Sequence, residues 1–274
     1  MAAAAETNGK RTALVTGASA GIGAELARLF ARDGWNVVLV ARSRDGLEKV
    51  GRELAASFGA AYYVVPADLA DPAAPQAVQD AVQALGLQVD ALVNNAGFGL
   101  LGTFVDVGSG APTDLGRELE MLQVNVVALT HLSKLFLPEM VKRGRGYVLN
   151  VASTAAFQPG PLMAVYYASK AYVLSFSEAL SVELAGTGVT ATVLCPGPTR
   201  TEFQAAARME DSRLFRAPHV MTAARVAELG YNAMFAGHSS IVAGAVNRVM
   251  AAGTRFIPRR MAAHVARMAQ SRVA

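Results

Sequence analysis

The stretch TGASAGIG, residues 16–23, decides how the rest of this chain is interpreted. It continues a short β-branched run at 12–16, and apolar residues at helical spacing follow it. Gly17 permits a tight turn, whereas Gly21 and Gly23 lack the Cβ atoms that would block a pyrophosphate or crowd the helix against the sheet. A helix that begins here offers free N–H groups and a partial positive charge to phosphates. A structural turn can also be glycine-rich, but the position after the first strand favours dinucleotide binding.

Outward from this turn, β-branched runs alternate with longer helical patterns. The run Val37-Val38-Leu39-Val40 is continuously apolar, as expected of a parallel strand buried on both faces. This alternation predicts an α/β fold with a doubly wound parallel sheet (a Rossmann fold) of about seven strands, with helices on both faces. A helix is expected over about 165–184, with Tyr167, Ala171, Leu174 and Ala179 facing the core. The predicted strands are 12–16, 37–41, 62–65, 91–93, 147–151, 190–194 and, more weakly, 240–242.

Length and composition favour one large domain. The chain has 274 residues, of which 53% are hydrophobic and 17% charged, so it can bury a large core. We expect a flexible N-terminus at 1–9, a single Rossmann-fold domain at 10–250, and a basic amphipathic extension at 251–274. Residues from about 201 to 221 are expected to form a substrate lid, with a plain surface insertion equally open. A single cysteine and the lack of a secretory or membrane-spanning segment predict a cytoplasmic protein.

Positive charge is concentrated at the end of the chain. Residues 231–274 hold six arginines and no acidic residue, which leaves 19 basic and 21 acidic residues before them. Because the body is nearly neutral, nucleic-acid binding is not expected. In the last helix Met261, Val265 and Met268 share one face, and arginines lie on another. Such a helix either rests on an anionic membrane or partner, or packs on its own domain with its arginines in water; the second interpretation is favoured.

The end of the second strand bears on the choice between NAD and NADP. An acidic residue there holds the ribose 2′-hydroxyl of NAD, and a basic residue suits the 2′-phosphate of NADP. Here the strand is followed by Arg42 and no carboxylate. A guanidinium can bind a phosphate through two hydrogen bonds, although many arginines at helix starts are merely solvated. The sequence therefore predicts NADP(H).

Tyr166 and Lys170 are spaced to share one face of a helix. A free tyrosine has a pKa of about 10, and a nearby ammonium favours the phenolate and lowers that value. A tyrosine and a lysine four positions apart often occur by chance, so the pair alone does not identify an active site. Polar motifs that follow several predicted strands strengthen the interpretation. The motifs are Asn94-Asn95-Ala96-Gly97 after the fourth strand, Ser153 after the fifth, and Pro196-Gly197 after the sixth.

With these motifs the chain resembles the short-chain dehydrogenase/reductase family over about residues 10–249. The resemblance implies NADP(H)-dependent hydride transfer between the nicotinamide and a carbonyl or alcohol carbon. It rests on TGASAGIG (16–23), Asp68, NNAG (94–97), Asn125, Ser153, the run YYASK (166–170) and the run CPGPT (195–199).

The resemblance also implies a role for each matching residue. Tyr166 is the expected general acid/base, and Lys170 lowers its pKa and holds the nicotinamide ribose. Ser153 binds the substrate oxygen, and Asn125 fixes a water that links Lys170 to solvent; alternatively, Asn125 makes a local backbone bond. Asp68, with Leu69 beside it, accepts from the adenine amino group. Tyr166 is expected to contact the cofactor as well. The remaining cofactor contacts are expected from Gly17, Ser19, Ala20, Gly21, Ile22, Gly23, Arg42, Asn95, Ala96, Gly97, Pro196, Gly197 and Thr199.

Apolar residues near these motifs predict a largely apolar substrate, such as a ketoacyl chain, steroid, aromatic ketone or quinone. We expect a homodimer or homotetramer by analogy with the family. Cys195 is interpreted as a small buried hydrophobe and Tyr167 as a packing residue, and the histidine spacing predicts no metal. A non-catalytic NADP(H)-binding sensor is the alternative function, disfavoured because Tyr166, Lys170, Ser153 and Asn125 are all present. A sugar-nucleotide epimerase ranks last.

Overall fold

The seven longest parallel runs of extended chain form one sheet in the computed structural model, which describes residues 9–108, 112–200 and 220–270. The strand order is β3-β2-β1-β4-β5-β6-β9, and every neighbouring pair is parallel. A short separate pair joins β7 to β8. The strands are β1 (Thr12–Thr16), β2 (Asn36–Ala41), β3 (Tyr62–Pro66), β4 (Val89–Asn94), β5 (Gly146–Val151), β6 (Val189–Cys195), β7 (Thr199–Arg200), β8 (Met221–Thr222) and β9 (Ser240–Val242).

Helices connect successive strands. Within the described residues they are α1 (Gly21–Arg32), α2 (Arg44–Phe58), α3 (Ala74–Ala84), α4 (Leu115–Leu122), α5 (Leu129–Lys142), α6 (Ala164–Glu183), α7 (Ala223–Phe235), α8 (Ala245–Gly253) and α9 (Arg259–Gln270). A π-helical turn (Gln123–Ala128) joins α4 to α5, and 3₁₀ turns lie at Thr154–Phe157 and Thr254–Phe256. The predicted doubly wound parallel sheet of about seven strands is confirmed.

Alternation along the strands places apolar side chains on both faces of the sheet. In β1, Val15 belongs to one apolar layer with Phe30 of α1 and Met234 of α7. Its neighbour Leu14 belongs to the opposite layer, together with Leu132 of α5. Strand β2 is buried along almost its whole length, and its sequence is a continuous apolar run from Val37 to Val40.

The sheet also fixes where a ligand can bind. The chain runs from β1 outward to β3 on one side and then restarts at β4 on the other side of β1. This reversal opens a crevice beyond the carboxyl ends of β1 and β4, the usual ligand position in such folds. The motifs after β1, β4, β5 and β6 all lie at that edge.

The packing faces of two helices differ from the sequence-based expectation. In α6 the predicted core face was wrong in part: Tyr167 is buried, but Ala179 is exposed, and the buried positions include Ser169, Lys170 and Ser177. Burial of these polar side chains is tolerated because each has a hydrogen-bond partner. For example, the Ser177 hydroxyl accepts from Asn150 Nδ2 at 2.9 Å.

The C-terminal helix α9 packs on the body of the protein through Ala262, Ala266 and Gln270. Met261 and Val265 are exposed, so the apolar face predicted from the sequence points away from the core. The predicted N-terminal segment 1–9 and lid 201–221 lie outside the described residues except for Gly9 and residues 220–221. No helix in the described ranges is long and apolar enough to cross a membrane.

Candidate active site

The turn after β1 is bonded to the motif after β4. Asn95 Nδ2 donates to the carbonyl oxygens of Thr16 at 2.9 Å and Gly17 at 3.3 Å. The Thr16 hydroxyl accepts from the backbone N–H groups of Asn95 at 2.9 Å and Ala96 at 3.0 Å. These four bonds fix the turn after β1 against the motif after β4.

The glycines of this turn are required by close approaches. Gly17 has φ +64°, in the left-handed region, and a Cβ there would lie 2.7 Å from Asn95 Nδ2. A Cβ on Gly23 would lie 2.2 Å from the Gly17 carbonyl oxygen. Gly23 thus lets helix α1 approach the turn itself, rather than the sheet as the sequence analysis proposed. At the start of α1, Ala20 provides no side-chain cap, and the first turn carries no acidic residue.

Arg42 lies beside this turn. The backbone N–H of Ala18 donates to the carbonyl oxygen of Val40 at 3.2 Å, which brings the turn to the end of β2. Arg42 is exposed and forms no ion pair within the described residues. A Cβ on Gly46, in the first turn of α2, would lie 3.1 Å from Ser19 Cβ. Arg42, Ser19 and the start of α2 therefore surround one small region of surface.

Asp68 and Leu69 lie just beyond β3 on the same edge of the sheet. Asp68 is exposed, and its Oδ1 accepts from the backbone N–H of Ala70 at 3.1 Å. Leu69 is buried in the apolar layer that includes Val38 and Val40. The geometry leaves the carboxylate of Asp68 at the rim of the crevice.

Tyr166 and Ser153 meet at the other end of the crevice. Their side chains are hydrogen-bonded, and Tyr166 is buried. Burial raises the pKa of the Tyr166 hydroxyl well above its usual value, although the Ser153 hydrogen bond opposes the rise. In this environment the phenol stays protonated at neutral pH, which is the form that can donate a proton.

Lys170 lies one helical turn after Tyr166, as predicted. Its Nζ donates to the Val151 carbonyl oxygen at 2.9 Å and lies 5.9 Å from the centre of the Tyr166 ring. Burial lowers the pKa of Lys170 to about 8. Lys170 was expected to lower the pKa of Tyr166. Among the protein's own groups, however, burial is the dominant influence on that pKa and raises it.

Asn125 lies in the π-helical turn between α4 and α5, where π-helical distortions commonly mark functional sites. Its Oδ1 accepts from the Phe98 N–H at 3.1 Å, and its Nδ2 donates to the Phe98 carbonyl oxygen and the Ser169 hydroxyl, both at 3.0 Å. The alternative of a local backbone bond is therefore wrong, because the backbone partner is 27 positions away. Asn125 fixes the chain immediately after Gly97.

The segment after β6 packs against the Ser153 loop. The Pro196 carbonyl oxygen accepts from the Thr154 N–H at 2.8 Å and from Ser153 Oγ at 3.4 Å. The Thr199 hydroxyl donates to the Gly197 carbonyl oxygen at 2.9 Å. A Cβ on Gly197 would lie 2.3 Å from Asn247 Nδ2, so only glycine fits there without rearrangement.

A cavity of about 260 Å³ opens beside Tyr166. Its walls are mainly apolar, but Glu118 of α4 is buried in them, and its Oε1 accepts from the Thr113 hydroxyl at 2.6 Å. Arg267 of α9 also lines the cavity, which the sequence did not indicate. The other lining residues are Leu100, Gly102, Thr103, Phe104, Val105, Val107, Met121, Pro161, Leu162, Met163, Ala164 and Val165.

Two secondary interpretations are also settled by position. Cys195 is fully buried, and burial raises its pKa to about 12, so it is a packing residue as predicted. Tyr167 is buried against Gly160 and also accepts a hydrogen bond from Gln270 Nε2 of α9. In the described ranges no three His, Cys, Asp or Glu side chains are grouped so that they could hold a metal ion.

Several structurally important residues were not singled out in the sequence analysis. Thr16 and Ser169 lie inside the quoted motifs, so their hydroxyls could have been noticed there. Glu118, Arg267 and Gln270 carry no local signal, because only the fold brings α4 and α9 to the cavity.

Comparison with known proteins gives a consistent result. The family model described as "short chain dehydrogenase" matches residues 11–212. The chain is 35% identical over 187 residues to the ketoacyl reductase HetN of Nostoc sp., covering 68% of this chain and 63% of that protein. It is 33% identical over 189 residues to a very-long-chain 3-oxoacyl-CoA reductase of Anas platyrhynchos, covering 67% and 58%. The matched region thus spans less than two thirds of the length of these relatives.

The fold is also similar to solved structures. A short-chain dehydrogenase from Sphingobium yanoikuyae, solved in complex with NADPH, is 30% identical with a TM-score of 0.78. The match covers 90% of this chain and 94% of that one.

Proposed function

Because the chain belongs to the short-chain dehydrogenase family, we propose that it is an NADP(H)-dependent oxidoreductase acting on a carbonyl or alcohol carbon of a largely apolar substrate. The observation that carries this proposal is the hydrogen bond between Tyr166 and Ser153 at the wall of the 260 Å³ cavity, with Lys170 one turn away. The group to be protonated would lie where an acid, a hydrogen-bond donor and an apolar wall meet.

The crevice fits a dinucleotide. Three features support this: the absence of Cβ atoms at Gly17 and Gly23, the uncapped start of α1, and a cation at Arg42. The region between Arg42, Ser19 and the start of α2 suits a 2′-phosphate, because guanidinium and hydroxyl groups and helical N–H groups all bind phosphate well. NADPH in the Sphingobium relative supports the same choice. Asp68, with Leu69, would hold the adenine.

When bound, NADPH supplies the hydride for carbonyl reduction. Tyr166 donates its phenolic proton to the carbonyl oxygen, so that hydride and proton together convert C=O to CH–OH. Ser153 donates a hydrogen bond to the same oxygen and stabilises the negative charge that develops there.

Lys170, with a pKa of about 8, is suited to return a proton to Tyr166 because it exchanges protons readily near neutral pH. Asn125 positions the chain after Gly97 by holding Phe98, and it bonds Ser169, the neighbour of Lys170 in α6. In the direction of alcohol oxidation the proton moves from the alcohol to Tyr166.

The lining of the cavity supports a largely apolar substrate. Apolar side chains dominate its lining, so most of the bound substrate would be apolar. Glu118 and Arg267 add one acidic and one basic group to the cavity lining. The names of the ketoacyl and 3-oxoacyl-CoA reductase relatives support ketoacyl compounds as the first substrates to test.

We also propose a homo-oligomer formed through the outer faces of α5 and α6. These helices expose Val141, Tyr172 and Val182, which is apolar surface suited to an interface. Light scattering is expected to give a multiple of the 28.6 kDa chain mass, and a monomer at micromolar concentration contradicts this.

The test of function is NADPH consumption by purified protein with a panel of ketoacyl thioesters, hydrophobic ketones, aldehydes and quinones. Turnover is expected with at least one class, and Tyr166→Phe is expected to reduce kcat at least about a hundredfold. NADPH affinity is expected to stay within about twofold, because Phe keeps the ring. Tight NADPH binding without turnover on any compound favours the sensor alternative, and turnover unchanged in Tyr166→Phe removes Tyr166 from the mechanism.

A further inference from the structure

The last two helices expose apolar side chains and bury small or polar ones. Helix α8 buries Asn247 and Ala251, and α9 buries Ala262, Ala266 and Gln270. This is the reverse of the usual arrangement, in which an amphipathic helix turns its apolar face to the core. Large apolar side chains are exposed at Val246, Val249, Met250, Phe256, Met261 and Val265, and we name this set the C-terminal apolar face.

The exposure is large enough to require an explanation. Phe256 is 87% exposed and Val249 is 72% exposed. Single apolar residues are common on protein surfaces, but a run of them over two consecutive helices marks an interaction site.

The charged side chains of the segment that carries this face are all basic. Arg248, Arg255, Arg259 and Arg260 are exposed, and no ion pair in the described ranges involves any of them. No acidic residue occurs between positions 231 and 274. A second copy of this chain related by a two-fold axis would bring like charges together, which opposes self-association. A negatively charged surface complements the same arginines.

We propose that the C-terminal apolar face binds the surface of an anionic phospholipid membrane. The apolar side chains enter the boundary between headgroups and acyl chains, while the arginines contact the phosphates. The helices rest on the membrane and do not cross it, in keeping with their length and charge.

The position of α9 connects this face to the cavity. Arg267 of α9 lines the cavity, and so do the exposed residues Phe104, Val105 and Val107 of the loop after β4. The cavity mouth is therefore bordered by apolar side chains and by α9, the helix that carries part of the C-terminal apolar face. If the proposed reductase function is correct, an apolar substrate would reach the cavity from the membrane; the binding itself does not depend on that function.

The test is co-sedimentation of the full chain with vesicles of phosphatidylcholine alone or with added phosphatidylglycerol, at low and high ionic strength. Binding is expected only to vesicles with phosphatidylglycerol, and weaker in high salt. Phe256→Ser is expected to lower the partition coefficient about tenfold. The double reversal Arg259→Glu/Arg260→Glu is expected to lower it at least about thirtyfold.

Matched controls come from α2. Phe58→Ser replaces another exposed phenylalanine, and Lys49→Glu/Arg52→Glu reverses two exposed charges. Both are expected to bind vesicles within about twofold of the wild type. The proposal is overturned if the wild type binds neither kind of vesicle, or if the controls lose as much binding as the surface variants. It is also overturned if Phe256→Ser changes the mass found by light scattering but not vesicle binding, since a second copy then occupies the face. Because no readout uses turnover, failure here is distinct from failure of the proposed function.

Discussion

The Nζ of Lys170 donates a hydrogen bond to the carbonyl oxygen of Val151 at 2.9 Å. This carbonyl belongs to the last residue of β5, so the strand that leads to Ser153 also anchors the lysine. The ammonium is almost completely buried, and burial lowers its pKa to about 8. The position of the amine is therefore fixed by this bond, while burial destabilises its charged form.

The first prediction concerns the pH dependence of stability. Lys170 has a lower pKa in the folded chain than in the unfolded one, where it is about 10.4. Between these values the unfolded chain binds a proton that the folded chain does not, so the contribution of Lys170 to the free energy of unfolding rises with pH. Lys170→Met removes this contribution. The free energy of unfolding of the wild type minus that of the variant is expected to increase by about 1 kcal/mol from pH 8 to pH 9.

Urea unfolding without nucleotide measures this difference. Cys195, with its pKa raised to about 12 in the folded chain, acts in the opposite sense across this window, because an unfolded thiol ionises near pH ~8.5. Taking the difference between two variants cancels groups common to both. Lys142→Met, at an exposed lysine on α5, is the control and is expected to show no such change. A constant difference between pH 8 and pH 9 contradicts the lowered pKa.

The second prediction concerns Gly97. A Cβ there would lie 2.9 Å from Asn125 Oδ1 and 3.3 Å from Lys170 Nζ. Gly97→Ala is therefore expected to displace both side chains, to reduce kcat about tenfold or more, and to lower the free energy of unfolding by about 1–3 kcal/mol. Gly253→Ala, where a Cβ meets nothing within 4 Å, is expected to leave kcat unchanged. Equal kcat in the two variants shows that the close approach at Gly97 has no effect on the site.

The strands could be predicted from sequence because burial on both faces leaves an unmistakable signal. The run 37–40, for example, lies within the observed β2 (Asn36–Ala41). The packing face of α9 could not be predicted in the same way. The sequence of α9 shows that one face is apolar and another basic. Which face packs on the protein depends on the shape of the surface that α9 contacts, and that surface buries Ala262 and Ala266 and leaves Met261 exposed.

The members of the candidate site that follow strands could be predicted, because the carboxyl ends of parallel strands lie at the same edge of the sheet. Ser153 and Tyr166 were expected together, and the structure places them in hydrogen-bond contact. The partners of Asn125 were not predictable, because its π-helical turn and the backbone of Phe98 have no sequence signature. The direction in which the Tyr166 pKa shifts also depends on burial, which only the three-dimensional structure shows.

The third prediction concerns cofactor preference. If Arg42 binds the 2′-phosphate, Arg42→Ala is expected to weaken NADPH binding about tenfold to a hundredfold through the loss of charge-assisted hydrogen bonds. NADH binding is expected to change less than about twofold, because NADH lacks that phosphate. Fluorescence titration with each nucleotide measures both. Arg52→Ala, at an exposed arginine on α2, controls for the general loss of positive charge. An unchanged ratio of the two affinities in Arg42→Ala assigns the preference to other residues.

The last prediction concerns the attachment of α9 beside the cavity. Gln270 Nε2 donates to the buried Tyr167 hydroxyl, and Arg267 on the same helix lines the cavity. Tyr167→Phe leaves the buried amide of Gln270 without this acceptor, so the free energy of unfolding is expected to fall by about 1–2 kcal/mol. Hydrogen exchange in α9 is expected to accelerate, and KM for the best substrate is expected to rise with little change in kcat.

Adding Gln270→Leu to Tyr167→Phe removes the unsatisfied donor and is expected to restore part of the lost stability, since an apolar pair costs less than a buried unpaired group. Tyr63→Phe, at a partly buried tyrosine on β3, is expected to change none of these quantities. The contradicting outcome is additivity: Gln270→Leu lowers the free energy of unfolding by the same amount in Tyr167→Phe as in the wild type. The two side chains are then not coupled, and Ala262 and Ala266 account for the packing of α9.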